Sequence, residues 1–277
     1  MNSSPNDNAL HQNCDQTLSA VIVRATASLH NLAPVTLRKV HGMPLTDREI
    51  VEALQRTPPF TEIASGELLA FVGCAVARTW KHRRVIVAEG DPWHGLLFVV
   101  TGTVRVTIDR LCVEILRGPC LPALSSALFA TASSPVSVSA LHGCETVFLN
   151  RDAGRELLDA SSDARAQLVA LLAAEADGRL ERLSHLVDGS VEQRTIAVLD
   201  YLADRYGDPL DEGRYVAIPL RRTDIAMMAR ASTETTSRTL AKFQRNGWLR
   251  TNKAGLWWSG AVPEARRVRP RSERPLG

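Results

Sequence analysis

At 277 residues with 45% apolar and 23% charged content, the chain is long enough for two cores and too apolar to be a disordered polymer. No run approaches the roughly 20 uninterrupted apolar residues of a membrane helix. The N-terminus lacks a basic segment followed by an apolar one, so a cytoplasmic protein with no membrane partner is expected. The net charge of +3 is unevenly spread: from Pro219 to Gly277, 13 Arg and Lys stand against 4 Asp and Glu, so this C-terminal fifth carries +9 on a body of −6. A basic end on an acidic body points to a polyanionic partner. A solubilising tail would have the same charge, and charge alone does not separate the two.

Residues 1–44 read as a partly disordered N-terminal extension: Met1 to Gln16 is polar, Leu18 to Leu32 suits a short helix, and Pro34 and Pro44 break the stretch after it. From Leu45 to Phe71 the pattern is helical, with starts at Thr46-Asp47 and Ser65-Gly66-Glu67. From Arg84 to Asn150 short β segments alternate with glycine turns: Val85–Val87, Leu96–Val100, the alternating Val104, Val106 and Ile108, then Val113 and Ile115, Val136 to Ala140, and Val147–Leu149. Five or six strands at this spacing predict a sandwich or barrel, assigned to residues 45–155.

Helical period returns from Arg151 to Asp188. Leu168, Leu172, Ala176, Leu180, Leu183 and Val187 recur every three or four residues. A single long helix at 156–188 with this stripe fits a seam between two copies better than packing on its own domain. Val191 to Tyr206 reads as another helix, followed by two extended pieces and then helices at Thr223–Ala229 and Ser232–Asn246. Two strands around Asn252-Lys253-Ala254-Gly255 close a C-terminal unit at 189–260. Residues 261–277, with Arg266, Arg267, Arg269, Arg271 and Arg274, form a basic tail expected to be disordered.

The chemistry concentrates between Arg221 and Asn246. Ser232 is a good N-cap. The helix it opens turns Leu240 and Phe243 inward and leaves Thr233, Glu234, Ser237 and Arg238 outward near its first turns. Arg donates two bonds to guanine and Glu accepts from cytosine N4, so Glu234, Ser237 and Arg238 are the expected base-reading residues. Arg221, Arg222, Ser232, Thr233, Thr235, Lys242 and Lys253 are candidates for other DNA contacts, mainly phosphates, which set position rather than sequence. An ordinary surface helix with a Glu234–Arg238 pair has the same spacing.

The run LRRTDIAMMARASTETTSR from Leu220 to Arg238, continued by LAKFQRNGWL from Leu240 to Leu249, resembles the winged helix-turn-helix of Crp/Fnr regulators. Gln193-Arg194, Val198-Leu199 and Tyr206-Gly207 are similar to the helix after that family's dimer helix. Ala53-Leu54, Pro59-Phe60, Glu89-Gly90-Asp91, Phe98 to Gly102 and Val104 to Val106 look like its cyclic-nucleotide-binding β-roll, so the likeness spans roughly Leu45 to Gly260. It implies an α+β chain with an N-terminal β-roll (a double-stranded β-helix), a long dimerisation helix and a C-terminal winged helix-turn-helix. It also implies a transcription regulator that binds double-stranded DNA as a homodimer and has RNA polymerase as a further partner. Ser237 before Arg238, and Thr233 where the Crp branch has Arg, bring the recognition helix nearer the Fnr branch and imply TTGAT-like half-sites. Arg230 stands where the family usually has Gly, at a position that would strain Arg if φ is positive.

The family's ligand cassette needs a Glu and an Arg after the strand ending near Gly118, but Gly118 to Gly143 contains no Asp, Glu, Lys or Arg. Ala123 and Ser134 fall about where those partners would be, so cAMP binding in the family manner is not expected. Cys14, Cys74, Cys112, Cys120 and Cys144 show no C-x-x-C pairing, and only Cys14 lies where the Fnr branch places its iron–sulfur ligands. Neither a metal site, an iron–sulfur cluster nor a disulfide framework is expected. Cys112 and Cys120 read as core residues ahead of a thiol switch, and His82 and His94 as surface residues ahead of haem ligands. The competing function is a redox- or small-ligand-sensing module that acts through protein contacts and binds DNA weakly. An enzyme ranks last, for want of a nucleophile–base set, metal motif or phosphate loop.

Overall fold

The structure, a computed structural model, describes residues 45–73, 75–92, 95–129, 133–187 and 189–263, with the backbone alone at 125, 126, 129, 179 and 181–187. The expected extension at 1–44, Cys14, Cys74, His94 and the arginines of the tail lie outside the described residues.

Helix α1 (Asp47–Leu54) begins at Thr46, whose hydroxyl accepts from the Glu49 amide while the Glu49 carboxylate accepts from the Thr46 amide at 2.8 Å, a reciprocal capping box. Helix α2 (Ser65–Val72) buries Leu68, Phe71 and Val72. Seven strands come next: β1 (Val76–Trp80), β2 (Val85–Val87), β3 (Gly95–Thr101), β4 (Thr103–Ile108), β5 (Leu111–Arg117), β6 (Ser137–Ala140) and β7 (Cys144–Asn150). Helix α3 (Leu124–Phe129) lies between β5 and β6. The strands make two antiparallel sheets, β1-β7-β3 and β2-β6-β4-β5, and Phe98, Val99, Val104, Val106, Val138 and Val147 fill a common core. Strand β1 has no counterpart in the sequence reading. It is an edge strand paired only to β7, so its burial is partial and Arg78 interrupts the apolar alternation. The six residues of α3 are too few to show a helical period.

The single long helix expected at 156–188 is instead two. Helix α4 (Arg151–Ala160) ends at Ser161, which is extended, with φ −115° and ψ 121°. The Ser161 hydroxyl accepts from the Ala164 amide at 3.2 Å and so caps α5 (Ser162–Val187). The expected seam also divides. Leu168 is buried in the β-roll's own core and Leu172 packs partly against it, whereas Ala176 and Leu180 are exposed. The side chains of Leu183 and Val187 lie outside the described residues.

The C-terminal unit contains α6 (Val191–Tyr206), β8 (Gly207–Leu210), β9 (Gly213–Val216), α7 (Arg222–Met228), α8 (Thr233–Arg245), β10 (Leu249–Thr251) and β11 (Leu256–Trp258). The expected hairpin is part of a four-stranded sheet, β10-β11-β9-β8. Phe243 sits against Trp248 and Trp258, with ring centroids 5.8 and 5.7 Å apart, and the Trp258 indole donates to Asp200 on α6 at 2.8 Å. This second core does not stop at the C-terminal unit: Cys112, Ile115 and Leu141 of the β-roll belong to the same apolar cluster as Leu199, Ile218 and Met228.

Because Leu168 is anchored inside the β-roll core, Leu168→Ala is expected to cost about 2–5 kcal/mol, read as a lower urea midpoint.

Candidate nucleic-acid interface

Helix α8 is fixed at both ends by its own sequence. Its N-cap, Ser232, accepts from the Thr235 amide at 3.1 Å, and its hydroxyl donates to the Thr235 hydroxyl at 2.9 Å. At the other end Gly247 has φ +75°, its amide donates to Gln244 and the Trp248 amide donates to Phe243. These bonds, with the Trp248–Phe243 ring contact, make a Schellman motif that turns the chain into the wing. Thr236, Leu240 and Phe243 face inward and are buried. Glu234 and Arg238 stand out, with side chains 74% and 76% exposed, and pair with each other; Ser237 between them is half-buried. An exposed i,i+4 pair is worth only about 0.2–0.5 kcal/mol, so it exchanges easily for other partners.

The turn between α7 and α8 is strained, and one arginine holds it. Arg230 has φ +48°, in the left-handed region that costs a non-glycine residue about 1–2 kcal/mol. Arg194 on α6 donates to the carbonyls of Ala229 at 2.8 Å, Arg230 at 3.3 Å and Gly189 at 2.7 Å. It thus satisfies the carbonyls that the end of α7 leaves open. The sequence singled out Arg194 only as part of a resemblance; its three acceptors come from segments 5 to 36 positions away.

The other expected DNA-contacting residues divide. Arg222, Thr233 and Thr235 are exposed. Lys253 is exposed at the tip of the wing, where the Asn252 side-chain oxygen accepts from the amides of Ala254 and Gly255, both at 2.8 Å. Lys242 is drawn instead to Glu192 on α6 at 2.7 Å. Arg221 is exposed, with its guanidinium 3.1 Å from Nε2 of His82 in the β-roll.

That last contact belongs to a junction that sequence reasoning did not find. Asp224, in the first turn of α7, is completely buried. One oxygen is 2.9 Å from the Arg105 guanidinium of β4, and the other is 3.2 Å from Arg83 and accepts from the Arg221 amide at 2.8 Å. Arg83 reaches this position from a backbone with φ +62°. Such a conformation persists where its surroundings over-determine it. His142 approaches the Pro219 carbonyl at 3.0 Å and its ring lies tilted beside that of His82, with centroids 5.0 Å apart, and Tyr206 donates to the Ile115 carbonyl. His82 is therefore engaged at a domain junction. Nothing local in the sequence pairs Asp224 with Arg105, 119 positions away.

In the β-roll, Ala123 is buried, and the buried Ser134 hydroxyl donates to the Val136 carbonyl at 2.6 Å. The thiols are shielded: burial pushes Cys112 and Cys144 up to about 12 and Cys120 higher still, so all three are protonated thiols at neutral pH. Cys112 lies on β5 while Cys120 lies beyond that strand and pairs by its backbone with Val99 of β3. Among the described residues no group of three or more His, Cys, Asp or Glu is placed to hold a metal ion, and no helix is long and apolar enough to cross a membrane.

A β-roll joined through a long helix to a winged helix-turn-helix defines a class of DNA-binding regulators. Residues 193–257 match the family described as "Crp-like helix-turn-helix domain". The chain is 26% identical over 188 residues to the "CRP-like cAMP-activated global transcriptional regulator" of Mycobacterium tuberculosis, covering 66% of this chain and 84% of that protein. Its fold is similar to that of FixK2 from Bradyrhizobium japonicum, with 18% identity and a TM-score of 0.57 over 66% of this chain and 92% of that one. It is also similar to that of CLP from Xanthomonas campestris, described as a c-di-GMP responsive global regulator, with 18% identity and a TM-score of 0.56 over 72% of this chain and all of that one. Residues 193–257 are thus a Crp-like helix-turn-helix domain, and the chain as a whole is similar to DNA-binding transcription regulators of the Crp/Fnr type.

Glycine at position 230 would relieve the positive φ while leaving the carbonyl that Arg194 binds. Arg230→Gly is expected to stabilise the fold by about 0.5–1 kcal/mol, seen as a rise of about 1–3 °C in melting temperature.

Proposed function

We propose that the protein is a homodimer that reads a two-fold, TTGAT-like DNA site through α8. The observation that carries this reading is the placement of Glu234, Ser237 and Arg238 on the outward side of a helix whose first turn is capped by Ser232. A helix set in this way offers its first turns to base edges in the major groove. Arg238 donates to guanine O6 and N7, Glu234 accepts from cytosine N4, and Ser237 meets a base edge or thymine methyl. Half-site centres about one helical turn apart, roughly 34 Å, match such a dimer. Arg221, Arg222, Ser232, Thr233, Thr235 and Lys253 contact the sugar–phosphate backbone, and Lys242 joins them once it leaves Glu192.

The exposed part of the α5 stripe, Ala176 and Leu180, supports self-association along that helix, continued by Leu183 and Val187; Leu172 lies at its margin. RNA polymerase is the further partner that a regulator of this type addresses. Control by cAMP in the manner of the mycobacterial relative does not suit this chain. A cyclic phosphate needs a cation or helix N-terminus, and its ribose usually a carboxylate. Gly118 to Gly143 supplies no charged side chain, and the Ser134 hydroxyl is already bonded within its own loop. The same reading involves neither haem nor an iron–sulfur cluster.

Arg238→Ala is expected to weaken binding to the preferred site by about 1–3 kcal/mol while leaving affinity for random duplex nearly unchanged. A mobility-shift assay with both duplexes checks it, and an equal loss on both would overturn the reading. Titration calorimetry with cAMP is expected to give no heat of binding at micromolar concentrations, and micromolar affinity would refute the proposal of cAMP independence.

A further inference from the structure

His82, in the loop between β1 and β2, has no part in base reading. Its Nε2 lies 3.1 Å from Nε of Arg83 in the same loop and 3.1 Å from Nη2 of Arg221, the N-cap residue of α7. A guanidinium has five donors, no acceptor and a permanent charge. Both bonds therefore run into Nε2, which must hold a lone pair, so in this arrangement the ring is the neutral tautomer with its proton on Nδ1. The neighbouring imidazole is the opposite case. Nε2 of His142, between β6 and β7, lies 3.0 Å from the Pro219 carbonyl, which only accepts, so that nitrogen carries a proton.

The groups about this junction are mostly cationic. Arg83 comes from the loop itself, Arg221 from the start of α7, Arg105 from β4, and the His142 ring from the turn between β6 and β7. Lys81 and Arg84 flank His82 and Arg83 in sequence, and Arg222 follows Arg221. The carboxylate among them, Asp224, is already committed to Arg83, Arg105 and the Arg221 amide. A proton on Nε2 of His82 removes the lone pair that two guanidiniums use and sets a third cation against them. His82 is exposed, so protons reach it freely and solvent screens the repulsion; the lost bonds are the larger effect. One guanidinium, that of Arg83, bridges His82 to Asp224, so the disturbance reaches the buried ion pair directly. Proton uptake at Nδ1 of His142 leaves its bond to Pro219 in place, so the sensitivity belongs to His82.

We propose that the His82 imidazole is an acid-sensitive latch between the β-roll and α7: neutral, it ties the two through Arg83 and Arg221, and protonated, it loosens their contact. Histidine changes its charge between about pH 5 and 8, so the latch is closed at the upper end of that range and opens as the pH falls. The loosening passes to α8 through the short turn after α7, and affinity for the preferred DNA site falls with it. That last step rests on the reading that α8 occupies the major groove; the latch itself does not.

The test compares the full-length protein with two variants. His82→Gln keeps an oxygen that accepts but takes up no proton, and His82→Lys is a permanent cation that only donates. Hydrogen exchange read by mass spectrometry at about pH 8 and about pH 5.5, corrected for intrinsic rates, follows peptides from the β1–β2 loop and the start of α7. In the unmodified protein their protection is expected to fall about threefold to tenfold in acid. His82→Gln should stay protected at both pH values, and His82→Lys should show the low protection already at the higher one. Unchanged protection of β3, in the β-roll core, is the folding control. No loss in the unmodified protein, an equal loss in His82→Gln, or full protection in His82→Lys would overturn the proposal. Fluorescence anisotropy with the preferred duplex at constant ionic strength reads the second step. The unmodified protein should lose about threefold to tenfold more affinity in acid than His82→Gln, and equal losses would overturn the coupling to α8. Failure of the groove reading shows separately, as a lack of site preference at the higher pH.

Discussion

A carboxylate removed entirely from water, Asp224, joins the two halves of this protein. It sits in the first turn of α7, accepts from the Arg221 amide, and lies against guanidiniums from β4 and from the β1–β2 loop. Burying a carboxylate is costly unless its oxygens are paired and hydrogen-bonded, and here both are engaged. The constraint runs both ways. Helix α7 cannot leave the β-roll without exposing Asp224 and freeing two cations, and the loop holds its strained Arg83 only while Asp224 is present. The position of α8 is set by α7 through a short turn fixed by Arg194, so the exposed face of α8 that carries Glu234 and Arg238 is referred back to the β-roll through a chain of specific bonds.

Helix α8 was the part most legible in the sequence because its determinants are local. An N-cap, an amphipathic period and a terminal glycine lie within sixteen positions of one another, and Ser232, Phe243 and Gly247 behave as that spacing implies. The positive φ at Arg230 was legible for a different reason, as a departure from the residue that a similar family usually places there. The strands of the β-roll were visible where alternation was strong, as in Val104, Val106 and Ile108, and invisible where it was weak, as in β1.

Long-range pairings were hidden. Lys242 has the charge and helix position of a phosphate contact, and only the fold reveals Glu192 beside it. The apolar stripe from Leu168 to Val187 has one period but two environments, because Ser161 restarts the helix and turns its first part onto the β-roll core. Periodicity records that a face is apolar and is silent on what covers it.

The cluster that joins Cys112, Ile115 and Leu141 to Leu199, Ile218 and Met228 has a mechanical consequence. Prising the halves apart wets apolar surface at about 25 cal/mol for each square ångström, and close-packed surfaces tolerate little gradual slippage. Any reorientation of the C-terminal half therefore has to break this cluster as a unit, together with the bonds to Asp224, instead of tilting by small degrees.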